Sequence, residues 1–156
     1  MLALTRATRS KQRGVAAIEA MVTLPLLFLL FFGVGELGRL MYQYNQLNSV
    51  VRDACRYLAS QAYTDSNGAS DLTLQATTQN IAKALALYGK SSGTTPLLSG
   101  LTADDISIAI SGGDLITVTA TYNWAPIFSG DLAGNYGEPL DYNFPLTATI
   151  SMRAIP

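Results

Sequence analysis

An apolar run near the start of the chain constrains its fold more than any other feature of the sequence. The 21 residues from Val15 to Gly35 carry a single charge, on Glu19. A helix of this length rises about 30 Å, the thickness of the hydrocarbon core of a bilayer. Its leucine, phenylalanine and valine side chains favour insertion by about 3 to 6 kcal/mol, whereas a carboxylate near the interface costs less than about 3 kcal/mol. We therefore predict a transmembrane helix over residues 15–36.

The charges on either side of this run predict its orientation. Residues 1–14 carry four basic side chains and no acidic one, whereas the rest of the chain carries six basic and eleven acidic side chains, a net charge of −5. Because positive charge is retained on the cytoplasmic side, the N-terminus is predicted to be cytoplasmic and the bulk of the chain exported. Residues 1–14 are interpreted as a leader peptide, and residues 37–156 as an exported domain. The alternative is a secretory signal that is cut after Gly35.

The residues around the run follow a specific spacing, which consists of a basic residue and a glycine, a glutamate five positions later, a proline in the apolar run, a further glycine and a final Glu-x-x-Arg: Arg13, Gly14, Glu19, Leu24, Pro25, Gly33, Glu36 and Arg39. This spacing resembles the start of TadE-like proteins, which are pseudopilins, or minor pilins, of the tight-adherence (Tad, Flp pilus) system. The resemblance covers roughly Arg13 to Arg56, and it departs from the family at Ala20, where many such proteins have an aromatic residue.

This resemblance implies processing and a partner set. It implies cleavage between Gly14 and Val15 by a membrane prepilin peptidase, and a function as a structural subunit in the assembly of a type IV adhesive pilus. The implied partners are the peptidase, other pilin and pseudopilin subunits, the inner-membrane assembly machinery and membrane lipid. The implied location is the bacterial inner membrane, with the C-terminal domain periplasmic or extracellular and the subunit available for incorporation into the pilus.

Glu19 is the candidate assembly residue, because a carboxylate in lipid needs a partner. Cleavage after Gly14 would create an ammonium group at Val15, about one helical turn or roughly 6 Å along the axis from Glu19. The ammonium of the same chain or of an adjacent subunit is then within reach, so pairing would select one axial register. The alternative is a Glu19 that reaches the interface or is protonated, without a partner.

Two further features of the apolar helix have alternative interpretations. Pro25 removes one backbone donor, which favours a kink, although membrane helices also tolerate proline. The glycines Gly33, Gly35 and Gly38 spell the dinucleotide-binding pattern G-x-G-x-x-G. That motif requires a preceding strand, which is absent from this sequence context, so close packing between helices explains these glycines better.

Beyond the span, the sequence predicts an α+β domain of pilin-like architecture. Apolar residues recur at steps of three and four to about Gln61, so the helix is predicted to continue as an amphipathic one. A second helix is predicted to be capped by Ser70 or Asp71 and to end at Gly89. The stripe of the first helix, interpreted as core with a partner-binding surface as the alternative, consists of Leu37, Leu40, Tyr44, Leu47, Val51, Ala54, Leu58 and Ala62.

The C-terminal part alternates with a period of two, which predicts a three-stranded antiparallel sheet. The first two strands form a hairpin around Gly112 and Gly113. One face of the sheet is predicted to pack on the long helix. The inward positions of the three strands are Ile106, Ile108 and Ile110, then Ile116, Val118, Ala120, Tyr122 and Trp124, then Leu146, Ala148, Ile150 and Met152.

No pattern in the chain predicts an enzyme. Histidine is absent, which removes the usual general base and the commonest metal ligand. Asp131, Glu138 and Asp141 are a weak candidate for Ca²⁺, but their spacing matches no EF-hand loop. Cys55, the only cysteine, is interpreted as a small packed residue, with an intermolecular disulfide as the alternative.

We expect no cofactor and no nucleic-acid partner. The sequence favours a filament subunit. The alternative is a single-span membrane-anchored or secreted binding domain with no filament role.

Overall fold

A computed structural model describes residues 8–62, 75–111, 114–127 and 144–154, with side chains from Gly14 onward. Helix α1 spans Thr8–Gln61 and helix α2 spans Ala76–Tyr88. A 3-10 turn at Ala103–Asp105 precedes strands β1 (Ile106–Ser111), β2 (Leu115–Trp124) and β3 (Phe144–Arg153). The α+β class predicted from the sequence is therefore confirmed.

Helix α1 is continuous from Thr8 to Gln61, so the predicted end near Gln61 is confirmed. Pro25 lies inside it, and a kink at that position stays a prediction. The chain divides into two units, Met1–Arg39 and Leu40–Pro156. The boundaries predicted for the leader, the span and the domain are not tested by this division, because it follows contacts within the chain alone.

The sheet has the order β1-β2-β3, with both neighbouring pairs antiparallel. Ile116 on the central strand lies opposite Ile110 on β1 and Met152 on β3, so the residues predicted to point inward share one face. Threonine and serine are the commonest residues on the other face, where the hydroxyls of Thr117 and Ser151 lie 2.8 Å apart. The hairpin sequence Gly112-Gly113 lies outside the described residues.

The core forms where the inner face of this sheet meets the C-terminal half of α1 and helix α2, as the alternating and helical patterns predict. All five predicted inward residues of β2 are buried. The predicted stripe of α1 contributes from Leu47 onward, with Leu40 partly buried beside it. The prediction was wrong for Leu37 and Tyr44, which are exposed. Helical spacing places both on the same face as the rest of the stripe, but no described residue covers them. The buried members contributed by α1 are Leu47, Val51, Ala54, Cys55, Leu58 and Ala62.

Helix α2 ends as predicted but starts later. Gly89 follows its last residue with φ 69°, a left-handed conformation that glycine adopts without strain, and its N–H donates to the carbonyl of Leu85. Its N-cap is Gln75, in place of the predicted Ser70 or Asp71, which lie outside the described residues. Capping chemistry at Ser70 and Asp71 therefore does not determine where this helix begins.

Candidate processing and assembly site

The Gly14–Val15 peptide bond lies within helix α1, which begins six residues earlier at Thr8. Gly14 is exposed, and a Cβ atom added to it would have no neighbour within 4 Å. Cleavage of this bond stays a prediction, and it would require the helix to open locally, because a protease acts on an extended backbone. Glycine favours such opening, because it is about 1 kcal/mol less favourable than alanine in a helix interior.

The Glu19 side chain is exposed on the surface of α1. The backbone carbonyl of Glu19 accepts a hydrogen bond from the Thr23 hydroxyl, 2.8 Å away. The Thr23 hydroxyl therefore bonds the helix backbone and not the Glu19 carboxylate. Among the described side chains, no basic group forms an ion pair with the Glu19 carboxylate. This carboxylate is therefore open to a partner from outside the described part of the chain.

The surface around Glu19 is apolar. Of the helices in the described residues, one is long and apolar enough to cross a membrane, and none of its most apolar window is buried within the chain. Every side chain from Val15 to Gly35 is exposed. Exposed leucine and phenylalanine over this length require a nonaqueous environment, because transfer from water is favourable for each of them.

The glycines of the G-x-G-x-x-G pattern lie on open parts of α1, and no described strand precedes them. This placement supports rejection of a dinucleotide site. A Cβ at Gly33, Gly35 or Gly38 would have no neighbour within 4 Å in the chain itself. Their small size is thus not required by any described contact within one chain, and close packing against another helix stays a prediction.

Glu36 and Arg39, named above only as part of the pattern shared with TadE-like proteins, form an ion pair. The Arg39 Nη2 lies 3.1 Å from Oε2 of Glu36, and Nε of Arg39 donates to the same oxygen at 3.2 Å. Both side chains are partly shielded from solvent. The sequence signal that could have identified the pair is the i, i+3 spacing of opposite charges on a helix.

The remaining candidate residues do not join this site. Asp131, Glu138 and Asp141 lie outside the described residues, within which no cluster of three or more potential metal ligands occurs. Cys55 is fully buried, so its interpretation as a packed core residue is supported. An intermolecular disulfide would require Cys55 to leave the core.

Comparison with known proteins bears on the N-terminal third of the chain. The family model of TadE-like proteins matches residues 14–56, which include the glycine, the glutamate, the proline and the Glu36–Arg39 pair. The resemblance inferred from those residues is therefore confirmed. A search of curated proteins and a search of solved structures each gave no match. The similarity to TadE-like proteins thus concerns the apolar run of α1 and the part of the helix that follows it.

Proposed function

We propose that this chain is a minor pilin, or pseudopilin, that takes part in the assembly of a Tad-type adhesive pilus. In this proposal the chain has a structural role and catalyses no reaction. Helix α1 anchors it in the bacterial inner membrane with the N-terminus cytoplasmic. A prepilin peptidase removes residues 1–14, and the mature subunit then packs against other pilin subunits.

One observation supports this proposal above the others. An exposed carboxylate, Glu19, lies five residues after Gly14 on an otherwise apolar helical surface, inside the stretch that matches TadE-like proteins. A plain membrane anchor needs neither the glycine nor the carboxylate. A filament subunit uses both, because cleavage at the glycine creates the charge that the carboxylate can pair with.

The N-terminus of the mature protein tests the proposed processing. We expect Val15 as the first residue of the membrane-bound form, and we expect Gly14→Val to keep the leader while inserting normally. Valine adds a branched side chain beside the scissile bond, where an extended and narrow backbone is needed. Mass spectrometry of the membrane fraction measures both results.

Gly33→Val is the matched control, since it makes the same change on the same helix at a position with equally open surroundings. It should leave leader removal unchanged. An N-terminus at Glu36 would identify a secretory signal, and an intact Met1 would identify an uncleaved anchor. Either result, or normal processing of Gly14→Val, would contradict the proposal.

Glu19 provides a separate test of assembly. We expect Glu19→Ala to insert and be processed normally, but to co-purify with its partner pilins at least about tenfold less. The reason is that an ammonium left without its partner in a low-dielectric setting costs about 3 to 5 kcal/mol. Crosslinking in membranes and quantification of piliation measure the effect.

Two conservative variants distinguish charge from shape at this position. Glu19→Gln keeps the side-chain size and loses the charge, so it should behave like Glu19→Ala. Glu19→Asp keeps the charge and should retain part of the assembly. Wild-type co-purification and normal piliation for Glu19→Ala would refute a role of this carboxylate in docking.

A further inference from the structure

In the turns that follow the apolar run, from Glu36 to Tyr44, helix α1 shields its charged side chains and exposes most of its apolar ones. The charged side chains there are shielded, with Glu36 14 % and Arg39 27 % exposed. Gln43 is half-buried, and its amide oxygen is buried. Four of the five large apolar and aromatic side chains of the same residues are exposed, namely Leu37 (63 %), Met41 (67 %), Tyr42 (63 %) and Tyr44 (41 %), whereas Leu40 is half-buried against the core.

This arrangement is the opposite of what water selects. A helix that meets water turns its charges outward and its apolar side chains toward a core, because burying apolar area is favourable by about 25 cal/mol per Å². Glu36 and Arg39 also neutralise each other at 3.1 Å, which reduces the penalty for holding charge in an apolar environment. The outward surface of these turns therefore matches an apolar environment.

This exposure of apolar side chains ends sharply at one position. Up to Tyr44 the exposed side chains of these turns are apolar or aromatic apart from glycine. From Asn45 to the end of the helix, every exposed side chain is polar or charged. These residues are Asn45, Ser49, Arg52, Asp53, Arg56, Ser60 and Gln61.

The length of this apolar surface fits a complete bilayer. From Val15 to Tyr44 the helix rises about 45 Å, which compares with about 40 to 45 Å for a bilayer including both headgroup layers. Tyrosine is enriched at the boundary between membrane and water, where its ring contacts lipid and its hydroxyl contacts water. Tyr42 and Tyr44 lie where such a boundary would be, immediately before the first exposed polar residue.

We propose that the lipid-contacting surface of α1 continues past the predicted span 15–36 to Tyr44, and that Leu37, Met41, Tyr42 and Tyr44 bind the outer headgroup layer of the membrane. The Glu36–Arg39 pair then lies at the margin of the hydrocarbon region as a neutral unit. This inference uses the membrane anchoring of the proposed function, but it does not depend on processing or on filament partners.

Cysteine accessibility in the full chain tests the proposal. Met41→Cys, Tyr42→Cys and Ser49→Cys are introduced singly, and each chain is reconstituted alone, at low protein-to-lipid ratio, in phosphatidylethanolamine–phosphatidylglycerol vesicles. All three positions are exposed, so the changes leave the core intact. The native Cys55 is fully buried and gives the background rate in the unaltered chain.

We expect a membrane-impermeant maleimide to label Met41→Cys and Tyr42→Cys at least about tenfold more slowly than Ser49→Cys, because lipid headgroups exclude the reagent and disfavour the thiolate. Labelling of all three at the same rate in vesicles would overturn the proposal. Fast labelling in vesicles combined with protection in cells that contain partner pilins would identify a protein-covered face, which also overturns it.

A failure of the pilus function is distinguishable from a failure of this proposal. The vesicles contain this chain alone, so retained leader or absent piliation does not change the labelling rates. A chain that is extracted from the vesicles by alkaline carbonate would overturn the membrane anchoring itself, and the lipid-contacting surface with it.

Discussion

At the scale of single residues, Cys55 shows how packing determines chemistry. Its side chain is fully buried, and its Sγ lies 3.5 Å from the carbonyl oxygens of Ile116 on β2 and Ile150 on β3. Burial raises the pKa of the Cys55 thiol, and backbone hydrogen bonds at Met152 and Val118 oppose this rise. The thiol therefore stays protonated where an exposed cysteine begins to react.

This burial predicts a stability contribution that depends on pH. Because the pKa of the thiol is higher in the folded chain than in the unfolded chain, its contribution is fully present below the pKa of the unfolded thiol, about 8.5. It is lost as the pH rises through the folded value. We expect Cys55→Ala to lower the free energy of unfolding by about 1 kcal/mol at neutral pH, and by less at alkaline pH.

Urea unfolding of the full chain in mild detergent at several pH values, for the original sequence and for Cys55→Ala, measures this difference. A matching experiment follows modification of Cys55 by a thiol reagent, which should occur only when the fold opens. Rapid modification of the folded chain, or a gap between the two proteins that widens with pH, would contradict the prediction.

At the scale of elements, helix α1 combines three exposure patterns in one continuous helix. From Val15 to Gly35 all faces are exposed; from Glu36 to Tyr44 most apolar side chains remain exposed, Leu40 is half-buried, and the charged side chains are shielded. From Leu47 onward one face is buried and the other is polar. The exposure pattern changes because each part of the helix has different surroundings. Helical propensity does not distinguish the three parts, since it acts on each residue without regard to what packs against it.

In the sheet, too, the type of side chain depends on what each face contacts. Threonine alternates with core residues on β2 and β3, and the hydroxyls of Thr119 and Thr149 lie 3.1 Å apart on the outer face. Cross-strand pairs of this kind contribute about 0.2 to 1 kcal/mol each. The sheet thus combines a buried apolar face with an outer face of paired hydroxyls.

At the scale of the whole molecule, the described core residues all lie in the unit Leu40–Pro156. We therefore expect a fragment of residues 40–156 to fold without the apolar run, although its exposed Met41 and Tyr42 favour self-association in water. Cooperative thermal melting followed by circular dichroism in mild detergent checks this expectation.

A fragment that begins at Val51 is the matched control. It lacks Leu47, which is fully buried, and Val50, which is nearly so. Loss of one such leucine costs about 2 to 5 kcal/mol, a large part of the total stability of about 5 to 15 kcal/mol for a small domain. This shorter fragment should melt without cooperativity. Cooperative melting of the shorter fragment, or none for the longer one, would place the core elsewhere.

The sequence by itself determined the elements of this protein and the candidate residues on them. Helical periodicity predicted α1 to Gln61, alternation predicted the three strands, and the spacing of Gly14 and Glu19 indicated TadE-like proteins. These features depend on residues close together in the chain, so local patterns contain them.

Only the tertiary structure decided which faces of those elements are covered. It placed Cys55 against two strand carbonyls, left Leu37 and Tyr44 exposed, and shielded Glu36 beside Arg39. Periodicity gives the direction of a side chain around its own helix or strand. Burial depends on contacts between residues as far apart as Cys55 and Ile150, which meet because the chain returns to the same helix after 95 residues.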